Sequence, residues 1–180
     1  MKKLGLIFGM IVFTFSMNAQ NKTFTLPENE GEQLKGQYIV IDEKGTPQEN
    51  YNKVINYINK TYNTPSEVIK SEISGEYIRI EGISDLFKNN GIPIPTRHSL
   101  EFKFKQDKIK LTVLKLQEVT QGWDITSTVC TYDKTHNSSG KVKNAPIKYA
   151  IRVTDGLNAL AERIKLGIAE ESSTDTDDDW

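Results

Sequence analysis

The stretch SLEFKFKQDKIKLTVLKL, residues 99–116, decides the fold. Leu100, Phe102 and Phe104 alternate with Ser99, Glu101, Lys103 and Lys105, so an extended strand here has one apolar and one charged side. Gln106-Asp107-Lys108 turns the chain. Ile109, Leu111 and Val113 then resume the alternation, which slips at Leu114 and Leu116. The slip predicts a β-bulge or a second buried face. Such a hairpin is antiparallel, wet on one side, and needs apolar cover on the other.

The cover is legible upstream and downstream. Thr46-Pro47-Gln48-Glu49 is a capping box with Pro at the first helical position, where a missing N–H costs nothing. Tyr51, Val54, Ile55, Ile58 and Tyr62 follow at helical spacing, and Asn63 and Pro65 end the run. From Pro146 a second helical stripe reads Ile147, Ile151, Leu157, Leu160, Ala161 and Ile164. Gly156 costs about 1 kcal/mol inside a helix and marks a kink or a close contact.

The remaining strands are shorter. Tyr38-Ile39-Val40-Ile41 is β-rich and precedes the first helix. Val68 to Ile73 and Tyr77 to Ile83 flank a Ser74-Gly75 hairpin signal, with Ile78 and Ile80 on one face and Tyr77, Arg79 and Glu81 on the other. Ser84 to Thr96, with Asn89-Asn90-Gly91 and two prolines, reads as a loop. Trp123-Asp124-Ile125 and Thr126 to Thr131 read as an extension of the sheet, followed by a polar loop over 133–140. The expected fold class is α+β: a curved antiparallel sheet backed by two helices on one face, in the order strand, helix, four strands, helix.

The ends carry different information. Lys2-Lys3, the apolar run Leu4 to Phe15 and Ala19 before Gln20 read as a signal peptide over residues 1–19, too short for a comfortable membrane span. The expected organisation is then an N-terminal arm over 20–36, one domain over 37–169, and a disordered acidic tail over 170–180. The product is expected to be exported, periplasmic or secreted, with no membrane span in the mature chain.

Charge and special residues exclude more than they assign. The net charge is −1, and six of the 24 acidic residues fall in the last eleven positions. The rest of the chain carries only a slight basic excess, without the clustered basic face of a nucleic-acid binder. Cys130 is the single cysteine, so no internal disulfide forms; Thr128 to Thr131 is a β-prone setting for a small buried hydrophobe. A nucleophile built from Cys130, His136 and Asp133 matches no catalytic spacing. His98 and His136 are the only histidines, no metal-ligand motif or phosphate loop is present, and the acidic tail lacks the Gly and distal Glu of a calcium loop. No cofactor, metal or catalytic residue is assigned.

Leu26-Pro27, the Tyr38 to Ile41 strand, Gly45 before the helix with Tyr51, Val68-Ile69, Ile78-Arg79-Ile80-Glu81-Gly82, the hairpin 99–116 and the closing helix together resemble an exported bacterial domain of unknown function with a TBP-like (TATA-binding-protein-like) fold. The resemblance covers Phe24 to Glu118, and Pro146 to Ile168 more loosely. It implies a curved antiparallel sheet backed by helices and supplies no catalytic residue. Its open face is expected to carry Lys70, Arg79, Lys103, Lys105 and Lys110 beside Glu72, Glu81 and Glu101, a mixture too balanced for DNA.

The expected function is therefore a non-enzymatic, monomeric binding or accessory module. Tyr77, Arg79, Glu101 and Lys103 are its candidate contacts on the open face. The Asn89 to Pro95 loop is a second candidate, and Trp123 and His136 are the contact-capable residues of segment 119–144, although Trp123 is more often a core residue. The partner would be a protein or a glycan. The alternative is a carrier of a small apolar ligand held between Phe102, Phe104 and Leu111 and the last helix, if those residues leave a cavity.

Overall fold

The computed structural model describes residues 23–173; the signal-peptide reading and the tail beyond Ser173 lie outside these residues. The order is β1 (Tyr38–Asp42), α1 (Pro47–Thr61), α2 (Pro65–Val68), β2 (Ile69–Ile73), β3 (Tyr77–Asn89), β4 (Ile92–Lys105), β5 (Lys108–Glu118), α3 (Ile125–Thr128), α4 (Tyr132–Thr135) and α5 (Asn144–Ser173). The five strands form one antiparallel sheet in the order β1-β5-β4-β3-β2. The long elements follow the expected sequence, with three one-turn helices added. Among the described residues no helix is long and apolar enough to cross a membrane.

The capping box forms. The Glu49 amide donates to Thr46 Oγ1 at 3.2 Å, and the Thr46 amide donates to the Glu49 carboxylate at 2.6 Å. The expected bulge also forms: Ser99 pairs with Lys115 and Leu100 with Val113, leaving Leu114 as the extra residue. Leu100, Phe102, Ile109, Leu111 and Leu116 then all face the helices at no more than 1% exposure.

Four expectations need correction. Ser84 to Thr96 is no loop: β3 and β4 continue through it as a hairpin, joined only by Asn90 and Gly91 with φ of 49° and 83°. Positive φ at both central residues is the turn that matches strand twist, and Asn-Gly is its best sequence. Pro93 and Pro95 are tolerated because β5 pairs with β4 only from Thr96 onward. Trp123 to Thr131 does not extend the sheet. The Asp124 carboxylate accepts from the Ser127 amide and the Thr126 hydroxyl, and the Thr128 hydroxyl donates to the Asp124 carbonyl. These local bonds favour a helical turn over a strand.

The segment read as an arm packs into the core. Phe24 and Leu34 are buried, and the Asn158 side-chain amide of α5 bonds both the amide and the carbonyl of Phe24, at 2.8 and 3.0 Å. The fourth correction concerns α5. It begins two residues before Pro146 and continues past Glu170, with Glu171 buried and paired to Lys60 of α1 at 2.6 Å. Its buried stripe uses Ala150, Val153, Leu157, Leu160, Ala161, Ile164 and Ile168, leaving Ile151 exposed.

Gly156 marks the close contact. A Cβ there would stand 2.0 Å from the carbonyl oxygen of Leu86, the extra residue of a second bulge, in β3. A Cβ on Gly167 would stand 2.4 Å from the Tyr57 ring on α1. The two glycines let α5 lie directly against sheet and helix. Phe102, Leu111, Leu157 and Ile164 pack tightly between sheet and helix, each at most 1% exposed, and Phe104 is 7% exposed.

Candidate functional site

The sheet face away from α1 and α5 is open, and its register brings four expected contact residues together. Tyr77 pairs with Lys103 and Arg79 with Glu101 across β3 and β4, and Glu101 faces Thr112 of β5. Arg79 Nε donates to Glu101 Oε2 at 2.6 Å, Lys103 Nζ lies 3.2 Å from Glu101 Oε1, and the Arg79 guanidinium sits 5.6 Å from the Tyr77 ring centroid. Glu101 is 6% exposed although it points away from the core, because its neighbours lie over it. Burial alone would raise its pKa; the hydrogen bonds from Arg79 and Lys103 outweigh that and hold the carboxyl below the usual range.

Around this clamp the face is mixed. Exposed Tyr38, Ile73 and Ile83 flank it, and Lys110 Nζ stands 3.8 Å from the Tyr38 ring centroid. Glu81 accepts from Ser99 at 3.3 Å and pairs with Arg97 at 3.6 Å. Glu72 and Lys70 do not belong here. Glu72 pairs with Ile78 and accepts from the Tyr51 hydroxyl of α1 at 2.9 Å, on the helix side. Lys70 sits at the β2 bulge and donates to the Glu67 carbonyl at 2.7 Å. The bulge shifts the alternation that had placed both on the open face.

Other candidates lie apart. Trp123 is 58% exposed, contrary to its usual core role, and borders a shallow depression of about 300 Å³ with Val129, Pro146 and Tyr149. His136 stacks on Tyr132 at 4.2 Å, with Nδ1 3.0 Å from the Thr135 hydroxyl. The Asn89 to Pro95 segment is a hairpin tip, anchored by a 2.7 Å bond from Arg152 to Asn89. Cys130 is fully buried, and burial pushes its thiol up to about 12, which leaves no thiolate at neutral pH.

His98 is not among the candidate contact residues, yet its surroundings are unusual. His98 is 1% exposed on the core side of β4, with Nε2 3.3 Å from the Tyr62 hydroxyl and Nδ1 3.5 Å from the Ser84 hydroxyl. Gly82 opposite leaves it room: a Cβ there would stand 2.8 Å from Nε2. Burial drives its pKa down from 6.5 to about 4, and a hydrogen bond to the Thr96 backbone only partly opposes this. The folded protein holds the ring neutral while the unfolded chain takes up a proton below pH 6.5. Stability therefore falls as pH drops from 6.5 to 4, by about 3 kcal/mol. Urea midpoints measured across that window should show the fall, and His98→Gln should flatten it. An unchanged slope in the variant would assign the acid sensitivity to carboxylates.

Antiparallel sheet, single-sided helical cover and open face define a TBP-like α+β fold. The chain is similar to a crystal structure of a DUF4468 family protein from Bacteroides ovatus ATCC 8483, with a TM-score of 0.57 and 10% sequence identity over 79% of this chain and 90% of that one. It is also similar to a TBP-like protein from Parabacteroides distasonis ATCC 8503, with a TM-score of 0.51 and 8% identity over 74% and 91%. At these identities the likeness is one of fold. No protein-family model and no curated protein matches the chain.

Proposed function

We propose that the chain is an exported, non-enzymatic binding module whose open sheet face recognises a macromolecular partner, a protein or a glycan. The observation that carries this reading is the clamp on Glu101. An idle wet sheet has no need to bury a carboxylate on its solvent side. Here the carboxylate holds Arg79 and Lys103, and Arg79 lies against Tyr77, so cationic and aromatic groups are positioned before any partner arrives. Ordering side chains in advance lowers the entropic cost of association. The packed sheet–helix layer favours this surface over an interior carrier site.

The test is crosslinked capture from the cell envelope with the wild type and with Tyr77→Ala and Lys103→Ala, which leave the Arg79–Glu101 pair in place. Capture of a specific species should drop at least tenfold in the double variant, with an unchanged unfolding midpoint. Identical capture by both proteins would sink the reading, as would a small-molecule adduct of fixed mass on the native protein.

A further inference from the structure

The end of the open face at the β4–β5 turn has a feature that costs stability. Lys103 stands directly opposite Lys110, and Lys105 directly opposite Lys108. Like charges facing each other across a strand pair repel. These four lysines line a recess of about 710 Å³ together with Val40, Phe104, Pro47 and Glu76. Compensation within the fold is partial. Lys103 contacts Glu101 and Lys110 lies on Tyr38, whereas Lys105 and Lys108 form no salt bridge among the described residues. Asp42 faces Lys108 in register, and Glu76 borders the recess. Four lysines against Asp42, Glu76 and Glu101 leave the patch slightly basic.

The spacing of the charges selects a ligand. Lys103 and Lys105 lie two residues apart on β4, as Lys108 and Lys110 do on β5, so each strand repeats its charge about every 6.7 Å. An extended peptide with a carboxylate at every second residue repeats its charge at the same interval. Lysine ammonium groups act as point charges and lack the fork with which arginine grips phosphate in two bonds. We propose that this lysine array is the docking site for an extended acidic segment of a partner protein, with Asp or Glu at alternate positions. This rests on the binding-module reading and names the partner's chemistry. Lys103 belongs to both the clamp and the array, which makes them one continuous surface.

The probe is a fluorescent nonapeptide of alternating Asp and Thr, followed by anisotropy against the purified full chain. Binding should weaken at least tenfold between 20 and 200 mM salt, on the order expected for exposed charges, and at least tenfold in Lys105→Glu with Lys108→Glu. Lys105→Gln with Lys108→Gln should give a smaller loss in the same direction. A peptide of the same composition with its Asp residues in one block should bind more weakly. Equal binding by the double variant, or by the block peptide, overturns the proposal. Lys105 and Lys108 should react freely with an amine-acylating reagent before peptide is added. Protection that disappears on changing Asp175, Asp177 and Asp179 to Asn would give the site to this chain's own acidic segment and overturn the partner assignment. The Lys105/Lys108 variants leave Tyr77, Arg79 and Glu101 intact. Capture that survives in them while the peptide fails to bind would discard the acidic ligand and keep the module.

Discussion

Gly156→Ala should destabilise the fold by about 3–5 kcal/mol, among the largest effects expected of a single methyl group. Two influences oppose each other at this position. Helix propensity alone favours alanine over glycine by about 1 kcal/mol. The packing is far more severe, because the new Cβ would lie 2.0 Å from the Leu86 carbonyl oxygen and 2.8 Å from its carbonyl carbon. Both contacts are with backbone, so no rotamer change relieves them. Either α5 lifts from β3 or the bulge at Leu86 flattens, and the bulge is what turns both Leu86 and Phe87 into the core. Urea unfolding followed by circular dichroism reads the result. A variant as stable as the wild type, or more so, would show that propensity wins and that the helix–sheet contact is soft.

Asn50→Asp should cost a similar amount, about 3–5 kcal/mol at neutral pH, for a different reason. Asn50 is fully buried at the start of α1. Its side-chain nitrogen donates to the carbonyls of Glu43, Gly45 and Lys105, at 3.1, 3.4 and 3.4 Å. One amide thereby ties the β1–α1 turn to the end of β4. A carboxylate of the same shape cannot donate, so the three carbonyls would face a buried negative charge. Asn50→Ala supplies the comparison, because it removes the donors without adding charge. The aspartate should be the more damaging of the two and should recover part of its loss when its carboxyl is protonated in acid. Equal destabilisation by both variants would show that the lost hydrogen bonds, and not the charge, set the cost.

The layout of this fold was readable where local chemistry and the tertiary structure agree. Thr46 to Glu49 caps the helix it predicts, and the slip at Leu114 is a bulge in the register. The reading failed where one residue type serves two structures. Pro93 and Pro95 suggested a loop, but they lie where β4 has a neighbour on one side only. Thr126 and Thr128 suggested a strand, but their hydroxyls bond to Asp124. At the candidate site, alternation alone placed Glu101 and Lys103 on the open face. That Glu101 would be covered there depends on Arg79 lying across from it, which is a matter of register between distant segments. The basic end of the face was hidden for the same reason, since sequence order does not reveal that Lys103 faces Lys110. Asn50 has a polar side chain beside an apolar stripe and reads as solvent-facing until its three carbonyl partners are brought to it.

The sheet order also dictates how the chain assembles. From β2 to β5 each strand pairs with the next across turns of two or three residues, so these contacts close small loops. Strand β1 has no such neighbour. Tyr38 pairs with Thr112 and Ile41 with Ile109, so β5, far along the chain, must be in place before β1 has an edge to join. Closing so long a loop brings its reward late. The kinetic nucleus should therefore lie in β3–β4–β5. Substitutions that weaken β1 should speed unfolding and leave the folding rate nearly untouched, whereas loss of Phe102 or Leu111 from the meander should slow folding itself.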